Sequence, residues 1–235
     1  GLRYLQNTRN YGLRSLMQKL GLDTKVVTSN AVSFTMAPRI NAAGRLGGAS
    51  SAARMFLTRD PGEAAELADY LCELNRSRQE EENAIYQQIL EYLAENPHLT
   101  TGKTMVLWGD DWHNGVIGIA ASRLTDRYAR PCVLICFDGD SAKGSARSVR
   151  GVNLFELMSQ SSRYLENFGG HEMAVGLTLK KENYQSFLQD ITQKAREQIP
   201  DEALLPICEA EFEADDSAFT SEFVHALDLL EPFGN

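Results

Sequence analysis

This sequence lacks the groupings that most metal sites are built from. Its four histidines and four cysteines stand apart, and no Cys/His group has the spacing of a zinc site. Cys132 and Cys136 lie in the apolar run PCVLICF, which reads as a buried strand, while Cys72 and Cys208 are isolated. Buried reduced thiols of this kind suit a cytoplasmic protein. No apolar run approaches the ~20 residues of a membrane span, so no membrane association is expected. No Gly-Lys-Ser/Thr follows a glycine-rich loop at the spacing of a phosphate-binding P-loop. No nucleophile–base pair is visible, and no carboxylate cluster capable of holding catalytic metals. Asp110, Asp111 and His113 in WGDDWHNG could suggest a metal pair at a strand end. Adjacent acids point to opposite sides of an extended chain, however, and a turn leading into a helix is the better reading. The N-terminus, GLRYLQNTRN, has neither a starting methionine nor the apolar core of a secretory leader. The chain is expected to be a portion of a longer protein.

The net charge of −9 argues at first against a nucleic-acid partner. Its distribution argues the other way. Residues 1–59 hold nine Lys or Arg against one acid, and residues 60–100 hold two against ten. Residues 101–175 are balanced at eight of each, and residues 176–235 hold four against thirteen. One face made for an anion, kept soluble by acids elsewhere, accounts for this asymmetry; an ordinary solvated surface is the plainer alternative.

Residues 60–97 read as one long helix. Asp60 stands at the N-cap, Pro61 at the first helical position and Glu63 as the capping-box acid. Leu67, Leu71, Leu74, Ile85, Ile89 and Leu93 keep helical spacing around a polar middle, SRQEEEN. Such a helix suits a connector between two bodies and would run ~50 Å. Before it, YGLRSLMQKLG reads as a short helix. VSFTMAPRINAAGRLGGASSAARMFL reads as a strand, a loop and a helix beginning near Ala49. After it, strands and helices alternate as in an α/β domain. KTMVLWG, PCVLICF, AKGSARSV and AVGLTLK are the strands; GVIGIAASRLTDRYA, NLFELMSQSSRYLENF and NYQSFLQDITQKAREQI are the helices. A final strand, ICEAEFEA, and helix, SEFVHALDLLEPFGN, lead onward.

Three segments could carry chemistry. In APRINAAGRLGG, Arg39 and Arg45 flank Asn41 among small residues, and paired guanidiniums suit phosphate oxygens. In AKGSARSVRG, Lys143, Ser145, Arg147, Ser148 and Arg150 alternate cations with hydroxyls. On a strand, Lys143, Ser145 and Arg147 share one face, able to hold phosphates without reading sequence; a charged edge strand that merely discourages pairing is the alternative. In NFGGHEMAVGL, read as a loop, Gly169 and Gly170 would bring backbone N–H groups close to an anion, with His171 beside them as a donor or titratable group. The alternative is a histidine that caps a helix and glycines that turn the chain.

Together and in this order, these segments resemble the RecJ group of the DHH phosphoesterase superfamily, the single-strand-specific DNA exonucleases. PRINAAGRL is similar to the group's arginine motif, and the long connector follows it. WHNGVIGIAASRL, KGSARS and FGGHEMAVGL resemble the hallmarks of the DHH-associated domain. LLEPFGN is similar to the start of the group's PFG-x-GNP turn. Two steps depart from the pattern: Ser145-Ala146-Arg147 has alanine in place of glycine, and Ala174-Val175-Gly176 stands where the family has Ala-Ala-Gly. The resemblance implies an α/β fold with a mixed sheet flanked by helices, preceded by the long connector. It implies four parts: residues 1–59 as the end of the DHH catalytic domain, 60–97 as the connector, 98–200 as the DHH-associated substrate-binding domain, and 201–235 as the start of a following OB-type module. It implies metal-dependent phosphodiester hydrolysis of single-stranded DNA from the 5′ end, in repair and recombination, with repair proteins as possible partners. Manganese or magnesium would be bound by an N-terminal domain outside this chain, and no metal is expected within it. His171 would be catalytic. Arg39, Asn41, Arg45, Lys143, Ser145, Arg147, Ser148, Gly169 and Gly170 would contact substrate phosphates. A DHH phosphoesterase for short oligonucleotides or signalling dinucleotides, and a non-catalytic nucleic-acid-binding module, are the competing expectations.

Overall fold

A computed structural model describes residues 1–205, 210 and 213–231. The chain divides into two units, residues 1–77 with 207–235, and residues 78–206.

The first unit is helical. Helices α1 (Leu2–Gln6), α2 (Tyr11–Lys19), α3 (Ala37–Ala42) and α4 (Ala49–Leu57) lead into α5 (Pro61–Glu95). Asn10 caps α2 by accepting from the Leu13 N–H at 3.0 Å. Leu16, Met17, Met36, Ala43, Ala52 and Met55 close a core against Leu67, Ala68 and Leu71 of α5. The strand and loop expected over residues 32–48 are instead helical, with wider π-type turns at Ala31–Met36 and Ala43–Gly47 on either side of α3. The β-branched Val32 and Thr35 with the aromatic Phe34 in VSFT suggest a strand. Burial of Met36, Ala42 and Ala43 overrides it, and Pro38, which donates no N–H, favours a widened ladder there.

Helix α5 is the expected connector in extent and runs through the boundary between the units. Asp60 caps it by accepting from the Gly62 N–H at 2.8 Å. The capping box is not reciprocal, because Glu63 binds the Thr58 hydroxyl and Arg54 instead of reaching back to Asp60. Its polar middle is not simply solvated. Glu82 is buried and bridged by Arg78 at 2.6 Å and by Arg123 at 3.0 Å. The Arg123 guanidinium also lies 3.9 Å over the Tyr86 ring.

The second unit is an α/β sandwich around a five-stranded mixed sheet. Strands β1 (Met105–Gly109), β2 (Cys132–Asp138), β3 (Ser141–Arg147), β4 (Asn167–His171) and β5 (Ala174–Lys180) lie in the order β1-β2-β3-β5-β4. Only β1 and β2 are parallel, joined over α6 (Asn114–Tyr128). One face of the sheet packs on α7 (Leu154–Ser159) and α8 (Tyr184–Gln198) through Val133, Ile135, Ala146, Val175, Leu177, Leu179, Phe187 and Ile191. On the other face, α6 lies over β2 and β3 with Val116, Ile117, Ala120, Ala121 and Leu124 buried. The helix expected from Asn153 to Phe168 ends at Ser159, and a short 3-10 turn leads to β4.

Helix α9 (Ser221–Asp228) closes the described chain, capped by the Thr220 hydroxyl. Most of the strand expected in ICEAEFEA, and the PFGN turn, lie outside the described residues.

Candidate nucleic-acid interface

The sheet's second face is half covered. Helix α6 shields β2 and β3, while Asn167, Gly169, His171 and Gly176 on β4 and β5 are exposed. Strand register arranges this face in rows. Arg147 pairs with Ala174, which pairs with His171; Ser145 pairs with Gly176, which pairs with Gly169; Lys143 pairs with Thr178, which pairs with Asn167. The two segments singled out in the sequence are thus brought onto one surface. Strand β3 is interior, bonded to β2 and β5, so the Lys143–Arg147 row is not an edge that repels pairing. Ala146 sits in regular register between Val133 and Val175.

The NFGGH segment is an edge strand rather than a loop. Its hairpin turns at Glu172–Met173. Gly170 has φ 149°, and a Cβ there would lie 2.1 Å from the Ala174 carbonyl oxygen. Its glycine is therefore required by the hairpin itself. Gly169 differs: a Cβ there would meet nothing within 4 Å, and one on Gly176 would meet only the Gly169 oxygen, at 4.0 Å. Neither packing nor backbone conformation asks for glycine at these two positions. They keep the floor of the face bare, as glycines do where a ligand approaches closely.

Arg147 is half-buried. Its Nη1 donates to the Ser145 hydroxyl at 2.9 Å and to the Ala146 carbonyl at 2.9 Å. A Cβ on Gly118 of α6 would lie 2.8 Å from Arg147 Nη2 and 2.9 Å from Ser145 Oγ. His171 is exposed, and its Nδ1 accepts from the Met173 N–H at 3.3 Å. That bond places the proton of a neutral imidazole on Nε2, which is then a donor. Ser148 does not join the rows. It is buried, its hydroxyl donates to the Val152 carbonyl at 2.8 Å, and its N–H donates to the Met173 carbonyl at 2.9 Å. With the Leu154 N–H on the Glu172 carbonyl at 3.0 Å, it pins the hairpin turn that carries His171.

Between these rows and α6 lies a groove of about 380 Å³ lined by Asn114, Lys143, Asn167, Phe168, Gly169 and Thr178 among others. Lys143 is its only charged residue and no carboxylate lines it, in a chain of 32 acids. Asn114, Asn167 and Thr178 were not singled out in the sequence, and Gly176 only as the end of the Ala174-Val175-Gly176 step. Counting back two residues from Gly169, or forward two from Gly176, finds Asn167 and Thr178 once both segments are known to be paired strands. His113 caps α6 through Nδ1, which accepts from the Gly115 N–H at 3.0 Å, as a turn before a helix requires. Among the described residues, no group of three or more His, Cys, Asp or Glu is placed to hold a metal ion.

Arg39, Asn41 and Arg45 belong to the first unit, on α3 and the wider turn that follows it. Asn41 and Arg45 are exposed. Arg39 Nη1 donates to the Thr35 carbonyl at 2.6 Å, and its buried Nε has no hydrogen-bond partner among the described residues. Burial pushes the neighbouring Cys72 thiol up, and the Arg39 charge offsets only part of that. Burial alone raises Cys132 far above the ordinary thiol range.

A family model described as the DHHA1 domain matches residues 100–197. Along its whole length the chain is 35% identical to the single-stranded-DNA-specific exonuclease RecJ of Bacillus subtilis strain 168, covering 30% of that protein. It is 32% identical, again over its whole length, to the RecJ of Thermus thermophilus, covering 33% of it. The crystal structure of that organism's RecJ in complex with Mg2+ matches 100% of this chain and 36% of its own, with a TM-score of 0.80 and 31% identity. A crystal structure of exonuclease RecJ bound to manganese matches 86% of this chain and 49% of its own, with a TM-score of 0.73 and 34% identity. The chain therefore spans about a third of the length of these curated relatives. No helix among the described residues is long and apolar enough to cross a membrane.

Proposed function

From a chain that carries a DHHA1 domain and belongs by sequence and fold with the RecJ exonucleases, we propose that the open sheet face of the second unit holds the sugar–phosphate backbone of single-stranded DNA. The protein it serves hydrolyses that strand from its 5′ end, in repair and recombination in the cytoplasm. The observation that carries this reading is the face itself: cations and hydroxyls in register, a floor cleared of side chains, and no carboxylate in the groove.

Each residue of the face has a role of its own. Lys143 meets a phosphate as a point charge, and Arg147 meets one through the guanidinium edge that Ser145 holds in place. His171 donates from Nε2 to a phosphate oxygen, where a donor counts most as negative charge grows. The glycine floor lets the strand lie close. Arg39, Asn41 and Arg45 form a second phosphate-binding element on the first unit. The residues described do not fit a metal site, so the Mg2+ or Mn2+ of the related structures is assigned to a DHH domain outside these residues.

The test is binding of a labelled single strand by this chain at several salt concentrations. Each phosphate neutralised on a single strand contributes roughly −0.7 to the slope of log affinity against log salt. Affinity should fall steeply with salt. Arg147→Ala should weaken binding to all sequences alike and reduce the slope by about one contact. Affinity indifferent to salt, or strong preference for one base sequence, would overturn the reading.

A further inference from the structure

We infer that the Lys143 end of this face is a separate nucleotide subsite, in which Asn114, Asn167 and Thr178 surround the Lys143 ammonium and take the phosphate and sugar two steps along the strand from the phosphate at His171. This rests on the reading of the face as a phosphate-binding surface. It adds the length of strand that the domain meters.

Register supplies the ruler. Arg147 and His171 lie in one row, Ser145, Gly176 and Gly169 in the next, and Lys143, Thr178 and Asn167 in the third. Rows on one face of a strand repeat every two residues, about 6.8 Å, so the outer rows stand about 13–14 Å apart. An extended single strand reaches roughly twice the ~3.4 Å per-nucleotide rise of the duplex. One row therefore corresponds to one phosphate step. A phosphate beside Arg147 and His171 places the next over the glycine row and the third at Lys143.

The chemistry of the three rows fits this spacing. The outer rows carry the cations, and the middle row carries two glycines beside the Ser145 hydroxyl. At Gly169 and Gly176 the space a Cβ would enter is open, which leaves room for the second phosphate and its sugar between the two charged rows. At the third row the groove offers two amides, a hydroxyl and one ammonium, with no carboxylate. Lys143 makes no ion pair among the described residues. Neutral donors around a single cation suit a phosphodiester and its sugar oxygens, contacts that position a strand without reading its sequence. Asn114 comes from α6, Lys143 from β3, Asn167 from β4 and Thr178 from β5, so the subsite is framed by four elements.

The experiment measures affinity of the 235-residue chain for 5′-phosphorylated oligothymidylates of two, three and four nucleotides at low salt. The trimer is the first to carry three phosphates. Its dissociation constant should be about tenfold lower than the dimer's, as for one further charge-assisted contact, and the tetramer should gain much less. Asn167→Ala and Thr178→Val should erase the step between dimer and trimer while leaving dimer affinity unchanged. Arg147→Ala should weaken dimer and trimer alike. Should Asn167→Ala unfold the edge strand, as melting would show, Asn114→Ala on α6 carries the same expectation. An even gain with every added nucleotide, or Thr178→Val weakening dimer and trimer equally, would overturn the subsite and leave the phosphate-binding face standing. Failure of the unaltered chain to bind any of the three would overturn the face itself.

Discussion

Arg147 rests on a glycine: a Cβ added to Gly118 of α6 would stand 2.8 Å from its Nη2 and 2.9 Å from the hydroxyl of Ser145. Helix and sheet approach here so closely that the guanidinium lies in the space a side chain would fill. Gly118→Ala should keep the fold, since both displaced atoms are ends of side chains and alanine favours the helix by about 1 kcal/mol. It should nonetheless weaken single-strand binding several-fold by pushing the Arg147 guanidinium and the Ser145 hydroxyl out of place. Melting temperature and affinity measured on one preparation decide the matter; unchanged affinity would show that the position of Arg147 is not what binds.

The paired glycines of the floor predict an uncommon dissociation. Glycine in a strand costs roughly 0.5–1 kcal/mol relative to alanine, and the Cβ positions of Gly169 and Gly176 are unobstructed. Gly169→Ala and Gly176→Ala should raise the denaturant midpoint or leave it unchanged, and both should lower affinity. Gly170→Ala should behave in the opposite sense and destabilise, because its Cβ would run into the Ala174 carbonyl. Loss of stability at all three would mean that the floor is cleared for the fold and not for a ligand.

His171 offers a test of role. It is exposed, and the hydrogen bond recorded for its ring is the one from the Met173 N–H. In the full-length protein, His171→Ala should cost ~10²–10³ in single-turnover cleavage with little change in melting temperature or substrate affinity. A drop of several degrees with cleavage nearly intact would mark it as a residue of the hairpin turn alone.

Asp190, on α8, governs a pH dependence of stability. Burial works to raise its pKa, but hydrogen bonds from Lys194 and Ser161, with Arg163 nearby, outweigh this and hold the carboxyl below the usual range. Ser161 is fully buried and donates at 2.8 Å; Arg163 Nη2 donates at 2.8 Å. A depressed folded-state pKa gives stability that is present above the unfolded value, near 3.9, and is lost as pH falls through the folded value. Asp190→Asn should therefore cost about 2 kcal/mol at neutral pH. The gap to the unaltered protein should close as the solution is taken below about pH 4. A gap that persists unchanged into acid would assign the loss to packing.

The sequence displayed its strands and helices where side chains declare a period. The apolar run at β2 and the alternation at β5 are read directly. It hid β4, because Gly169 and Gly170 carry no pattern and glycine is depleted in strands; pairing with β5 supplies what propensity withholds. It also hid the helix through Arg39, where the strand-favouring Val32, Phe34 and Thr35 before it conflict with burial. Lys143, Ser145, Arg147 and His171 were legible as polar chemistry, and register then placed them on one surface. Ser148 looked like one more hydroxyl of that row. That its bond goes inward to Val152 depends on a bend that no spacing shows. Asn114 could not be found in this way, since it enters the groove from another element.

Helix α5 sets a limit on how this chain can be divided. Leu67, Ala68 and Leu71 close the core of the first unit, while Ile85, Ile89 and Leu93 are buried beyond residue 78. Where the chain passes from residue 77 to residue 78 it is continuous helix, with no loop there for a protease to find. A break at Leu67–Leu71 takes a wall from the first core, and one at Ile85–Leu93 takes buried residues from the second unit. The two units can be told apart on inspection, yet one helix supplies buried residues to both.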